Sequence, residues 1–162
     1  MVKYPRPLSS NVRMIMTTLD SCDTLYLDAV HYDHEENTLT IVTTEGISSN
    51  IECDVKLGDK ILPIRAKPIK VTDKSKRYSI NFSSVLSHFV MNDFYQNLLG
   101  PDDIFTGKNL LVLEKNGFID FIAHATLIPQ ILDANEVGYY CLITASAQFF
   151  VCAEITPKVT LL

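Results

Sequence analysis

Val12, Ile15, Met16 and Leu19 recur at i, i+3, i+4 and i+7, the spacing that gathers side chains on one face of a helix. The pattern predicts a short amphipathic helix from about Ser10 to Asp20, with Ser9 or Ser10 placed to cap its first turn. The period then drops to two. Leu25, Leu27 and Ala29 alternate with Tyr26, Asp28, Val30 and Tyr32, and after the polar turn Asp33-His34-Glu35-Glu36-Asn37 the alternation resumes at Leu39, Ile41 and Thr43. Successive strand side chains point to opposite faces, so this stretch reads as a hairpin with one apolar face.

Gly46, Gly58-Asp59 and Asp73-Lys74-Ser75 punctuate the next third, and strands are expected between them. Pro63 and Pro68 lack the amide proton that a ladder needs, which confines their strand to a sheet edge or splits it. Tyr78, Ile80 and Phe82 share one parity, whereas from Val85 onward Phe89 and Met91 take the other, so a bulge or bend is expected near Ser83-Ser84. Beyond a loop at 100–108, Leu110 to Leu113 is a short apolar strand. Asn116 is placed to cap a second amphipathic helix, whose stripe Phe118, Phe121, Ile122 and Ala125 continues to about Leu127, before Pro129.

The closing runs, Tyr139 to Ala145 and Phe149 to Ile155, are apolar at both parities, as in central strands covered on both faces. With their turn centred between Ser146 and Ala147, Cys141 would face Cys152 directly, as two small buried hydrophobes or, alternatively, as a reversible disulfide. These elements define an α+β fold: a single domain at 9–162 after an extended leader at 1–8, with a mainly antiparallel sheet and two short amphipathic helices.

Composition narrows the class. The chain has 162 residues, 47% hydrophobic and 20% charged, enough for one ordinary core and unlike disordered or low-complexity chains. The formal charge of -5 supplies no global attraction for nucleic acid or anionic lipid. The one basic run, Arg65, Lys67, Lys70, Lys74, Lys76 and Arg77, alternates with apolar residues and reads as the wet side of a strand pair. No window is long and apolar enough to span a bilayer, and Pro5 and Pro7 break the start before a signal peptide could form. Cys22, Cys53, Cys141 and Cys152 form no Cys-x-x-Cys pair, which fits a reducing cytoplasm.

The densest polar cluster is His31-Tyr32-Asp33-His34-Glu35-Glu36. His31, Asp33, His34 and Glu35 have ligand types that zinc, manganese or iron accept, although the spacing lacks the i, i+4 histidine pair of helical metal sites. His88 and His124 stand as lone histidines, read as structural or surface residues. No nucleophile signature and no glycine-rich phosphate loop is present, so neither a catalytic residue nor a cofactor is assigned. Phe89, Phe94, Tyr95, Tyr139 and Tyr140 are the candidates for an exposed aromatic patch of the kind used in protein contacts.

Three stretches carry a family resemblance. Lys67-Pro68-Ile69 runs through Arg77-Tyr78-Ser79-Ile80-Asn81-Phe82 to Val90-Met91-Asn92-Asp93-Phe94-Tyr95. Gly117-Phe118-Ile119-Asp120-Phe121-Ile122 with Thr126, and Gly138-Tyr139-Tyr140 to Thr156-Pro157, follow. Over roughly 67–159 the chain resembles a group of small uncharacterised bacterial proteins. It departs from that group at Tyr139-Tyr140, where a His-Tyr pair is expected, and at Cys152 or Glu154, where an aspartate is expected. The resemblance implies a shared fold and a bacterial source, and carries no catalytic residue across.

The expectation is a cytoplasmic domain that binds a protein or peptide, or assembles with itself through a sheet edge, without catalytic activity. The alternative is a small metal-binding protein or metal-dependent hydrolase using the His31 to Glu36 cluster. A nucleic-acid contact through Arg65 to Arg77 runs against the overall charge.

Overall fold

The computed structural model describes residues 10–92, 100–133 and 136–162; the leader, Ser9, Phe94 and Tyr95 lie outside them. The elements run α1 (Ser10–Asp20), β1 (Thr24–Asp33), β2 (Thr38–Ser48), β3 (Cys53–Leu57), β4 (Lys60–Ala66), β5 (Ile69–Lys70), β6 (Arg77–Phe82) and β7 (Val85–Asn92). They continue with β8 (Ile104–Thr106), β9 (Leu110–Lys115), α2 (Gly117–Ala125), α3 (Ile128–Ile131), β10 (Gly138–Ile143), β11 (Ala147–Ala153) and β12 (Lys158–Leu161). The fold is α+β and mostly antiparallel sheet. Both amphipathic segments are helices. The one-turn α3 is an addition, with Pro129 in its first turn, where a missing amide proton costs no hydrogen bond.

The strands form two main sheets where the sequence suggests one. The first has the order β1-β2-β6-β12, with β5 added to the end of β2, and the second has the order β7-β11-β10-β9-β8. The chain passes from the first to the second at Ser83-Ser84, where Ser84 adopts φ 51°. The change of parity after Phe82 therefore marks a transfer between sheets.

Leu39, Ile41, Ile80 and Phe82 of the first sheet pack against Leu110, Leu142, Phe149 and Val151 of the second, with Met16 and Leu19 of α1 joining them. The opposite face of the second sheet presents Leu111, Leu113, Cys141, Phe150 and Cys152 to Phe118 and Ile122 of α2. This explains why the two closing strands are apolar at both parities: β10 and β11 sit in the middle of the second sheet, covered on both sides.

Side chains satisfy the helix ends. Asn116 Oδ1 accepts from the Phe118 amide at 2.7 Å, an N-cap worth about 1 kcal/mol. At the end of α1, Asn109 Nδ2 donates to the Leu19 and Cys22 carbonyls at 2.8 and 2.9 Å, and Lys108 Nζ donates to the latter at 2.7 Å. Leu19 lies in the last turn of α1, where its carbonyl also accepts from the Cys22 amide at 3.1 Å, and Cys22 lies just past the helix, so the side-chain bonds fasten the end of α1 to the start of β9.

Two registers differ from expectation. In β1, Leu27 pairs with Thr43 but Ala29 pairs with Val42, leaving Asp28 as the extra residue of a bulge. Asp28 Oδ2 accepts from Arg77 Nε at 2.9 Å and from Thr44 Oγ1 at 2.7 Å. Beyond it the faces exchange: Val30 and Tyr32 lie opposite Ile41 and Leu39, and Ala29 moves to the outer face. In the closing hairpin, Thr144 Oγ1 both donates to the Ala147 carbonyl and accepts from its amide, at 2.8 and 3.0 Å. That closes the turn one residue earlier than expected, so Cys141 faces Phe150 and Cys152 faces Tyr139. The two cysteines are diagonal neighbours, whose Cα separation of roughly 7–8 Å exceeds a relaxed disulfide span. All four cysteines are free thiols.

Candidate functional site

The polar hairpin tip is built as a turn. His31 pairs with Thr40 on the outer face of β1, and His34, Glu35 and Glu36 are exposed. Asp33 Oδ1 accepts from the Glu36 and Glu35 amides at 3.1 and 2.9 Å, and these two bonds hold its carboxyl below the ordinary range. Asp33 thereby caps its own turn. Among the described residues, no group of three or more His, Cys, Asp or Glu side chains is placed to hold a metal ion.

The candidate aromatics divide by burial. Tyr140 is 5% exposed, with its ring centroid 5.8 Å from that of Phe82 inside the inter-sheet core, so it is not offered to a partner. Tyr139 is half-buried on the opposite face, edge-on to Phe118 at 6.5 Å, and burial pushes its hydroxyl up to about 12. Phe89 is exposed on β7. His88 packs on Tyr32 with centroids 4.6 Å apart, linking β7 to β1. His124 is exposed, its Nδ1 2.7 Å from the Asp120 carbonyl.

Burial raises the thiols of Cys22, Cys141 and Cys152, the last two to about 12, while Cys53 is exposed. A thiolate is the nucleophile, so Cys53 should consume one equivalent of a thiol reagent promptly, the other three following only on unfolding. Rapid reaction of all four under native conditions would contradict this burial. Unfolded thiols lose their protons above roughly pH 9, whereas folded Cys141 and Cys152 keep theirs until about 12. Between those values the unfolded state binds fewer protons, so stability falls as pH rises.

A shallow groove of about 830 Å³ lies between α1 and the β8–β9 turn, with Met16, Thr17 and Gly107 in its walls and Arg13, Asp20 and Glu114 among its polar lining. Asp20 is already committed: its Oδ1 accepts from the Asn109 amide at 2.8 Å and the Leu110 amide at 3.3 Å. Its role there is to hold α1 against β9.

The largest departure from a covered core is the β3–β4 ribbon. It pairs Cys53 with Ala66, Asp54 with Arg65, Lys56 with Ile61 and Leu57 with Lys60, around a turn where Gly58 takes φ 60°. It forms a two-stranded sheet of its own, a unit only marginally stable in water without further packing. On it and beside it, Ile51, Ile61, Ile64 and Val71 are 72, 62, 56 and 54% exposed. Arg65 Nε lies 3.7 Å from Asp54 Oδ1, and Arg77 pairs with Asp28, so both arginines of the basic run face carboxylates of their own chain. Pro63 stands in a ribbon edge strand, as its missing amide requires. Gly58-Asp59 between two short runs is the local signal for this hairpin; its separateness has no sequence signal.

Against known proteins, the chain matches no family model, no curated protein and no solved structure.

Proposed function

We propose that this chain is a cytoplasmic interaction module, without catalytic activity, that binds another protein or a second copy of itself through the β3–β4 ribbon. The observation that carries the reading is the exposure of Ile61 and Ile64 on a ribbon that, among the described residues, pairs only with itself. Exposed aliphatic side chains gain from removal from water, and a two-stranded ribbon gains stability when packed. Four free thiols, three of them buried, fit a reducing compartment. No helix among the described residues is long and apolar enough to cross a membrane.

Photocrosslinking in bacterial cells expressing the full chain tests this. A photoreactive residue at Val55, Ile61 or Ile64 should give discrete protein adducts from at least one position, whereas one at the exposed Lys115 should give none. Ribbon yields no higher than the Lys115 yield would overturn the proposal.

A further inference from the structure

We infer that the ribbon's partner is a second copy of this chain, joined edge to edge along β3 about a two-fold axis at Val55; this rests on the reading of the ribbon as the contact surface. The ribbon has two outer edges, and they differ. The register shift between Asp54 and Lys56 leaves Val55 facing the longer stretch Leu62-Pro63-Ile64, so the surplus residues and the proline both belong to β4. A bulged, proline-bearing strand is a poor template for pairing. The edge of β3 has neither defect, and among the described residues it pairs with β4 alone.

The sequence of β3 is self-complementary. Cys53, Val55 and Leu57 alternate with Asp54 and Lys56, apolar positions on one face and opposite charges on the other. Antiparallel pairing of two copies about Val55 sets Val55 against Val55, Cys53 against Leu57 and, twice, Asp54 against Lys56. Moving the axis to Asp54 or Lys56 brings like charges face to face, and a half-step sets charged residues against apolar ones. Only the Val55 register satisfies every position, and opposed unlike charges stabilise a pair where like charges destabilise it. The product is a four-stranded sheet β4-β3-β3-β4, closed by two-fold symmetry. In it Asp54 lies between Arg65 of its own chain, 3.7 Å away in the single copy, and Lys56 of the other.

Sedimentation equilibrium of the full chain and its charge variants tests the register. Wild type should be a dimer. D54K and K56D should each weaken dimerisation by about tenfold or more, since each places two like-charged pairs across the symmetric interface. The exchange D54K/K56D should restore it to within about threefold of wild type. Because D54K and the exchange both lose the Arg65 pair, restoration reports the contact between copies. With C53S as background, V55C should form a covalent dimer on oxidation. Thermal unfolding monitors folding, and K56D, which leaves Asp54 and Arg65 in place, serves if D54K fails to fold. A monomeric wild type, or an exchange no tighter than the single variants, overturns the inference. A monomer that still gives ribbon adducts with another protein in cells overturns only the choice of partner; absence of ribbon adducts overturns the broader reading.

Discussion

Phe150→Ala is expected to cost about 3–5 kcal/mol of stability. Phe150 is fully buried on β11, the strand flanked by β7 and β10 in the second sheet, and its ring centroid is 5.6 Å from that of Phe118 on α2. Removing the ring loses its transfer free energy and leaves a cavity that paired strands on both sides and a helix above cannot close by collapsing. Domains of this size hold only about 5–15 kcal/mol in total, so the melting temperature should fall by roughly 6–20 °C. Phe121→Ala provides the contrast: the same ring deleted from the same layer, but at a position 57% exposed, should cost no more than about 1 kcal/mol. Thermal and urea unfolding of the two variants measures the difference. Equal losses would mean that α2 does not cover the sheet through Phe118 and Ile122.

That burial on both faces was readable from the sequence, because it leaves a compositional mark. The closing strands are apolar at every parity, and Asn116 followed by a 3.6-residue stripe announces the helix that covers them. What the sequence does not carry is the pairing that depends on one residue's local bonds. Asp28 looks like an ordinary outward residue of an alternating strand until Arg77, 49 positions away, donates to its carboxylate and a bulge exchanges the faces beyond it. Thr144 likewise moves the closing register by bonding twice to Ala147, and so separates Cys141 from Cys152. The transfer between sheets at Ser83-Ser84 did show as a change of parity, but parity alone cannot distinguish a bulge within one sheet from passage to another.

The candidate site was legible in its parts and not in its exposure. Pro63 marks an edge strand, and Gly58-Asp59 marks a hairpin, from residue chemistry alone. Ile61 and Ile64 read as core residues by type, however, and only their position on a ribbon outside both main sheets leaves them open to solvent. The tyrosines illustrate the converse. Tyr140 has the composition of a contact residue, and lies against Phe82 in the core because β10 is central. Residue type predicts burial only through the element's place in the sheet, which is a long-range property.

Gly107→Ala should be the most damaging single-methyl addition among the described glycines. Gly107 has φ 114°, well beyond the left-handed basin that other residues reach, in a region that essentially only glycine occupies. A Cβ there would also fall inside the van der Waals envelope of the Leu110 carbonyl oxygen and 2.9 Å from Met16 Cε. The Leu110 carbonyl cannot easily yield, whereas Met16 Cε, the far end of a flexible side chain, can shift at a smaller cost. Leu110 is paired with Leu142 in the sheet and its amide bonds Asp20, while Met16 is buried in the core between the sheets. Backbone strain of about 1–3 kcal/mol and overpacking of similar size give an expected loss of roughly 2–6 kcal/mol. Gly58→Ala separates the two causes, since Gly58 has φ 60° and open space around its Cβ direction, so only about 1–2 kcal/mol of left-handed strain applies. Because the clash lies where α1 meets the β8–β9 turn, Gly107→Ala should also raise amide hydrogen exchange in α1 more than in α2. Equal losses for the two glycine variants, with no preferential loss of protection in α1, would show that the turn does not press on that helix.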